Sequence, residues 1–132
     1  MNTELYKTLG DELYEALIGR QVVEPLSTRH PGITIDDAYA IQQHLMARRL
    51  AAGERVIGKK IGVTSQAVMD MLGVFQPDFG WLTDGMVHNE GEAIAAATLI
   101  QPKAEGEIAF VLKKTLRGPG VTAAEVLAAT EG

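Results

Sequence analysis

The hydrophobic pattern of this chain changes period near residue 54, and that switch limits it to a fold with helices first and strands afterwards. Leu5, Leu9, Leu13 and Leu17 recur at every fourth position with Ile18 beside them, which is the spacing of one helical face. The spacing predicts a helix over residues 3–18, with Asn2 or Thr3 capping its start and Gly19 its end. The stretch from Val22 to Gly32 contains Pro25 and Pro31 and reads as a loop. A second helix is expected after Thr34, whose hydroxyl caps it, with Asp36 and Asp37 at the positive end of its dipole. Ala38, Ile41 and Leu45 form its buried stripe, and Gly53 ends it.

Beyond that point the pattern shortens. Residues 55–63, Arg-Val-Ile-Gly-Lys-Lys-Ile-Gly-Val, read as a strand. Thr64 or Ser65 then caps a short helix running through Met71 and Leu72. Residues 74–86 read as a loop, punctuated by Pro77 and neighbouring glycines. Strand character returns at 98–100 and more strongly at 107–113. After the break at Gly118-Pro119-Gly120, Thr122 and Glu125 have the spacing of a capping box, which predicts a helix ending near Ala129. Helices followed by short strands predict the α+β class, with a helical region at 1–54 and a β-rich region at 55–132.

Composition removes several classes of function. The net charge is −5, and no basic patch of the kind that binds nucleic acid is present. The absence of cysteine excludes disulfides and thiolate metal sites and fits a reducing cytoplasm. No apolar run approaches the ~20 residues of a membrane span. The opening residues, with Glu4, Asp11 and Glu12, do not read as a signal peptide. A core is affordable, because 46% of the 132 residues are hydrophobic.

Chemistry concentrates in three places. In Gln101-Pro-Lys-Ala-Glu-Gly-Glu-Ile-Ala-Phe-Val-Leu112, Glu105 and Glu107 are two residues apart. On a strand they would point to one face, where two carboxylates repel unless a proton or cation lies between them. A hard oxygen-seeking ion such as Mg²⁺ suits that place; the competing reading is a solvated strand face. Lys59 and Lys60 would point to opposite faces of their strand, leaving Lys60 free to point inward and carry protons. The competing reading is a surface lysine whose stem covers apolar neighbours. Asp78 lies in Pro77-Asp-Phe-Gly80, either as a site carboxylate or as a turn residue bonded to its own backbone. His30, His44 and His88 lack ligand spacing, and His44 is expected on the exposed side of its helix.

Three segments together resemble a known family. Gly58-Lys-Lys-Ile-Gly-Val-Thr-Ser65, Leu72-Gly-Val-Phe-Gln-Pro-Asp-Phe-Gly80 and Gln101-Pro-Lys-Ala-Glu-Gly-Glu-Ile-Ala-Phe110 resemble the 2-oxopent-4-enoate (2-hydroxypenta-2,4-dienoate) hydratases. These form part of the hydratase and decarboxylase branch of the fumarylacetoacetate hydrolase superfamily. The resemblance extends over the whole chain. It implies part of a mixed β-barrel fold and hydration of a dienoate to 4-hydroxy-2-oxopentanoate, in meta-cleavage of aromatic compounds. It implies Mg²⁺ or Mn²⁺ on Glu105 and Glu107, a proton carrier at Lys60 and a pocket residue at Asp78. It also implies a homo-oligomer, association with 4-oxalocrotonate decarboxylase, and a cytoplasmic location. Members are about twice this length and carry a third metal carboxylate beyond the helix that ends near Ala129, so the chain reads as an N-terminal half. The alternatives are the sister activity, 4-oxalocrotonate decarboxylation, and an inactive assembly module.

Overall fold

The computed structural model describes residues 2–132, which divide into two compact units, one up to Gln101 and one over Pro102–Gly132. The first unit contains helices α1 (Thr3–Gly19), α2 (Leu26–Arg29), α3 (Ile35–Ala51) and α4 (Gln66–Leu72). It also contains strands β1 (Val56–Gly62) and β2 (Asp78–Thr83). The second unit contains α5 (Ala123–Ala129). The α+β expectation stands.

Helix α1 begins at Asn2, whose side chain accepts the Leu5 N–H, and ends at Arg20 in the left-handed conformation. Thr34 and Asp37 form a reciprocal capping box at the start of α3, so two otherwise unpaired amides are satisfied. The two long helices pack on each other through Leu9, Gly10 and Ile41; Ile41 is 1% exposed. Gly10 sets their separation. A Cβ there would stand 2.5 Å from His44 Cβ and 2.8 Å from the Ile41 carbonyl oxygen. His44 thus faces α1 and is half-buried, contrary to the expectation of an exposed side. At the rim, Arg48 bonds Asp11 at 3.0 Å and Glu15 at 2.6 Å, and its guanidinium lies 4.5 Å from the centroid of the Tyr14 ring.

The two strands pair antiparallel, with Lys59 opposite Trp81, Lys60 opposite Gly80, Ile61 opposite Phe79 and Gly62 opposite Asp78. A register shift between Val56 and Gly58 changes the side-chain phase of the strand. It turns Val56 to the same face as Trp81, where both line an apolar pocket with Met46 and Leu50 of α3. The opposite face carries Gly58, Lys60 and Gly62 with Leu82, Gly80 and Asp78. The strand ends are anchored to α3 by a polar cluster. Arg49 bonds Glu54 at 2.9 Å, and the fully buried Thr83 donates its hydroxyl proton to the same Glu54 oxygen.

Four local expectations are corrected. The 22–32 loop contains the single-turn helix α2, held by bonds from the Thr28, Arg29 and His30 amides to Pro25 and Leu26 carbonyls. The 74–86 loop contains β2, because Phe79, Trp81 and Thr83 alternate toward α3 and outweigh the turn signal of Pro77-Asp78. The 98–100 segment begins inside a 3₁₀ turn at Ala96–Thr98 and forms no strand. The 107–113 strand is reduced to one bridge between Leu112 and Thr130, supported by bonds of residues 111 and 113 to residues 129–132. Alternating apolar residues make a strand only where a partner strand lies alongside, and residues 107–110 have none among the described residues. Within this second unit Ala129 is buried, whereas Ile108 is 85% exposed.

Candidate active site

Of the four residues singled out in the sequence, the structure brings Lys60 and Asp78 together, while Glu105 and Glu107 belong to the other compact unit. Lys60 and Asp78 occupy diagonal positions on the open face of the β1–β2 pair, each opposite a glycine. A Cβ on Gly62 would overlap an Asp78 carboxylate oxygen and stand 3.5 Å from Lys60 Nζ. A Cβ on Gly80 would stand 3.3 Å from Lys60 Cγ. The two glycines therefore leave the volume into which the lysine stem and the aspartate lie, and one positive and one negative group converge above a floor with no side chains. Both residues are exposed, so Lys60 does not point into a core as the strand reading allowed. The neighbouring Lys59 points the other way, with Nζ 4.7 Å from the centroid of Trp81.

Two backbone devices build this corner. Val63 follows Gly62 with φ of 55°, a conformation that a β-branched residue rarely adopts, and it turns the chain out of β1. Ser65 then caps α4 by accepting the Val68 N–H, and Gly73 closes that helix with φ of 66°. The chain returns into β2 at Asp78. There Tyr39 of α3 accepts the Phe79 N–H at 3.3 Å, and its ring stacks on Phe79 with centroids 4.4 Å apart. Tyr39 was not identified from the sequence; its only trace there was an aromatic residue on the strand-facing side of a helix.

Glu105 and Glu107 lie in an irregular segment rather than a strand, so the same-face argument from alternation does not apply to them. Both are exposed, and a Cβ on Gly106 between them would meet nothing within 4 Å. Two accessible carboxylates fit Mg²⁺ in donor chemistry, since hard cations take oxygen ligands. They supply part of a coordination shell. Among the described residues no three His, Asp or Glu side chains gather into a metal site.

Two carboxyl groups of the first unit, Asp37 and Asp84, are held low by hydrogen bonds. Hydrogen bonds from the Thr34 hydroxyl, the Tyr6 hydroxyl and the Thr34 amide hold the Asp37 carboxyl far below the usual range. The Arg55 amide and guanidinium hold Asp84 low. Both serve the fold: one caps α3, the other fastens the exit of β2 to the start of β1.

No protein-family model matches the chain. It is 64% identical over 132 residues to a 2-hydroxypent-2,4-dienoate hydratase of Pseudomonas putida, covering 99% of this chain and 60% of that protein. It is 58% identical over 130 residues to a 2-hydroxyhexa-2,4-dienoate hydratase of Comamonas testosteroni, covering 97% of this chain and 49% of the relative. Its structure matches 4-oxalocrotonate decarboxylase from Pseudomonas putida G7, complexed with magnesium and adipate, with TM-score 0.93 and 32% identity. That match covers 98% of this chain and 49% of the other. By sequence and by fold the chain is similar to the hydratases and decarboxylases of the fumarylacetoacetate hydrolase superfamily. Among these relatives the identity is higher to the two hydratases, 64% and 58%, than to the decarboxylase, 32%. The chain spans about half the length of the curated relatives it matches.

Proposed function

We propose that this chain contributes part of the active site for the hydration of 2-hydroxypenta-2,4-dienoate to 4-hydroxy-2-oxopentanoate. The observation that carries the reading is the 64% identity to a relative named for that substrate, above the 32% to the decarboxylase. The reaction needs two proton movements and no covalent nucleophile. Transfer of the 2-hydroxyl proton to C5 gives an α,β-unsaturated ketone. Water then adds its hydroxyl at C4 and a proton at C3.

Lys60 is the proton carrier in this reading, since its Nζ stands at an exposed face near the Asp78 carboxylate. Asp78 orients the Lys60 ammonium or a water molecule beside it. Glu105 and Glu107 would hold Mg²⁺ or Mn²⁺, and such a cation supplies Lewis acidity toward the oxygens of a 2-oxo acid. The structural relatives complexed with magnesium and with calcium support a divalent ion. The reading also includes a homo-oligomeric cytoplasmic enzyme that associates with 4-oxalocrotonate decarboxylase, as the family resemblance implies.

The test is a chimaera in which this chain replaces the matching part of the Pseudomonas putida hydratase, assayed by loss of dienoate absorbance. Turnover is expected with Mg²⁺, abolished by EDTA, and lost in Lys60→Met and Glu107→Gln. A folded chimaera that leaves the dienoate untouched, or that releases CO₂ from 4-oxalocrotonate instead, overturns the proposal.

A further inference from the structure

We infer that Tyr39 is a positioning residue for Asp78: by its hydroxyl and its ring it clamps residue 79 and so fixes where the Asp78 carboxylate lies. The significance of that placement rests on the reading of Lys60 and Asp78 as working groups. The clamp itself follows from the geometry of one helix and one strand.

Among the described residues, strand β2 is bonded to a neighbour on one side only, within a two-stranded sheet. In an antiparallel ladder the amides of alternate residues point away from the partner strand. The Phe79 N–H goes to the Tyr39 hydroxyl oxygen at 3.3 Å, so this amide is used outside the ladder, at the free edge. An edge amide normally relies on water. Here it is tied to a side chain of α3, the helix whose Ile41 is buried against α1. The second hold is the parallel stack of the Tyr39 and Phe79 rings, with an interplanar angle of 13°. Both holds act on the same residue, one on its backbone and one on its side chain. They remove rotation about the strand axis at position 79.

Successive strand residues point to opposite faces. Once Phe79 is fixed toward α3, Asp78 is fixed toward the open face, where its carboxylate lies against Gly62. Asp78 is the first residue of β2, and strand ends fray most readily. Without the clamp, the last paired residues opposite Gly62 have only the ladder to hold them.

The experiment uses the 132-residue chain without substrate, so that its outcome does not depend on the hydratase reading. Three NMR observables are followed in the parent, in Tyr39→Phe and in Phe79→Leu. They are the amide exchange rate of Phe79, the χ1 couplings of Asp78, and the NOE between Asp78 Hβ and Gly62 Hα. Tyr39→Phe keeps the ring and loses the acceptor. Its Phe79 amide is expected to exchange roughly five- to tenfold faster, as the loss of one net hydrogen bond predicts, while the Ile41 amide in α3 is unchanged. The Asp78 couplings should move from a single rotamer toward averaging, and the Gly62 contact should weaken. Phe79→Leu keeps the N–H and removes the stack, and should give the same direction of change at Asp78.

Unchanged Asp78 couplings and an unchanged NOE in both variants overturn the inference, even if Phe79 exchanges faster. Should Tyr39→Phe lose the Ile41 signal through unfolding, Phe79→Leu, at an exposed site, decides alone. A chimaera that fails to hydrate dienoate while these NMR changes are seen would refute the hydratase reading and leave the clamp standing.

Discussion

Replacing Gly10 by alanine should weaken the first unit, although alanine is the better helix former. The added methyl carbon would stand 2.5 Å from His44 Cβ, 2.8 Å from the Ile41 carbonyl oxygen and 3.1 Å from the Leu45 amide nitrogen. Two of those three atoms are backbone, so no side-chain rotation relieves the contact. The helices must separate by on the order of 1 Å, which also loosens the Leu9 and Ile41 contacts. Overpacking of this kind costs about 1–3 kcal/mol, against a gain of up to about 1 kcal/mol in helix propensity. The net expectation is a loss of roughly 1–2 kcal/mol. For a unit of this size that lowers the melting temperature by about 4–15 °C. Urea denaturation followed by circular dichroism reads the change as a lower midpoint at unchanged slope. Gly19→Ala is the control: the nearest atoms belong to the flexible Gln21 side chain at 3.7 Å, so the same change in the same helix should be neutral or stabilising. A Gly10→Ala midpoint equal to or above the parent's would refute the reasoning, because it would mean that the α1–α3 crossing has room for a methyl group.

Three further outcomes are expected. The Asp37 carboxyl is held low in the folded chain, so its contribution to stability is fully present above the unfolded value of about 4 and is lost as pH falls through the folded value. Asp37→Asn should therefore flatten the acid limb of a stability–pH curve between about pH 4 and pH 2, and a parallel, merely lowered curve would count against this. Thr83→Val removes the hydroxyl that faces Glu54 and Arg49 at a fully buried position and should cost about 1–3 kcal/mol in chemical denaturation. Gly62→Ala should leave the fold intact but displace the Asp78 carboxylate, cutting dienoate turnover in the chimaera at least about tenfold, or roughly 1.4 kcal/mol of barrier. Full activity in Gly62→Ala would show that the carboxylate is not needed where it lies.

The helical part of the fold was legible because its signals are local. Leu9 and Ile41 follow from periodicity, and the boxes at Thr34–Asp37 and Thr122–Glu125 follow from the order of four residues. Strand β2 was readable in principle from Phe79, Trp81 and Thr83 at alternate positions, but Pro77-Asp78 and Gly80 gave the stronger turn signal. Its partner β1 is separated from it by α4, so no hairpin spacing announced the pair. Residues 107–113 show the converse: a good strand pattern that the described chain cannot complete without a neighbouring strand. At the site, Lys60 and Asp78 were visible as residue types, whereas their convergence depends on the β1–β2 pairing register that sets Gly62 opposite Asp78 and Gly80 opposite Lys60. Tyr39 and the Arg49–Glu54–Thr83 cluster are tertiary contacts between segments distant in sequence, and no local rule exposes them.

The open face of β1 and β2 also governs which sequence changes can be accumulated there. Each of its three cross-strand pairs sets one glycine against one side chain: Gly58 against Leu82, Gly80 against Lys60, and Gly62 against Asp78. A methyl on Gly58 would meet Leu82 at an ordinary 3.6 Å, on Gly80 it would crowd the Lys60 stem at 3.3 Å, and on Gly62 it would collide with Asp78. Tolerance therefore falls in steps along one face of the strand pair, toward the charged residues. A library randomising these glycines should fill position 58 first. Variation at position 62 should emerge only in clones that have also shortened or redirected residue 78, so the two positions would be inherited as a linked pair.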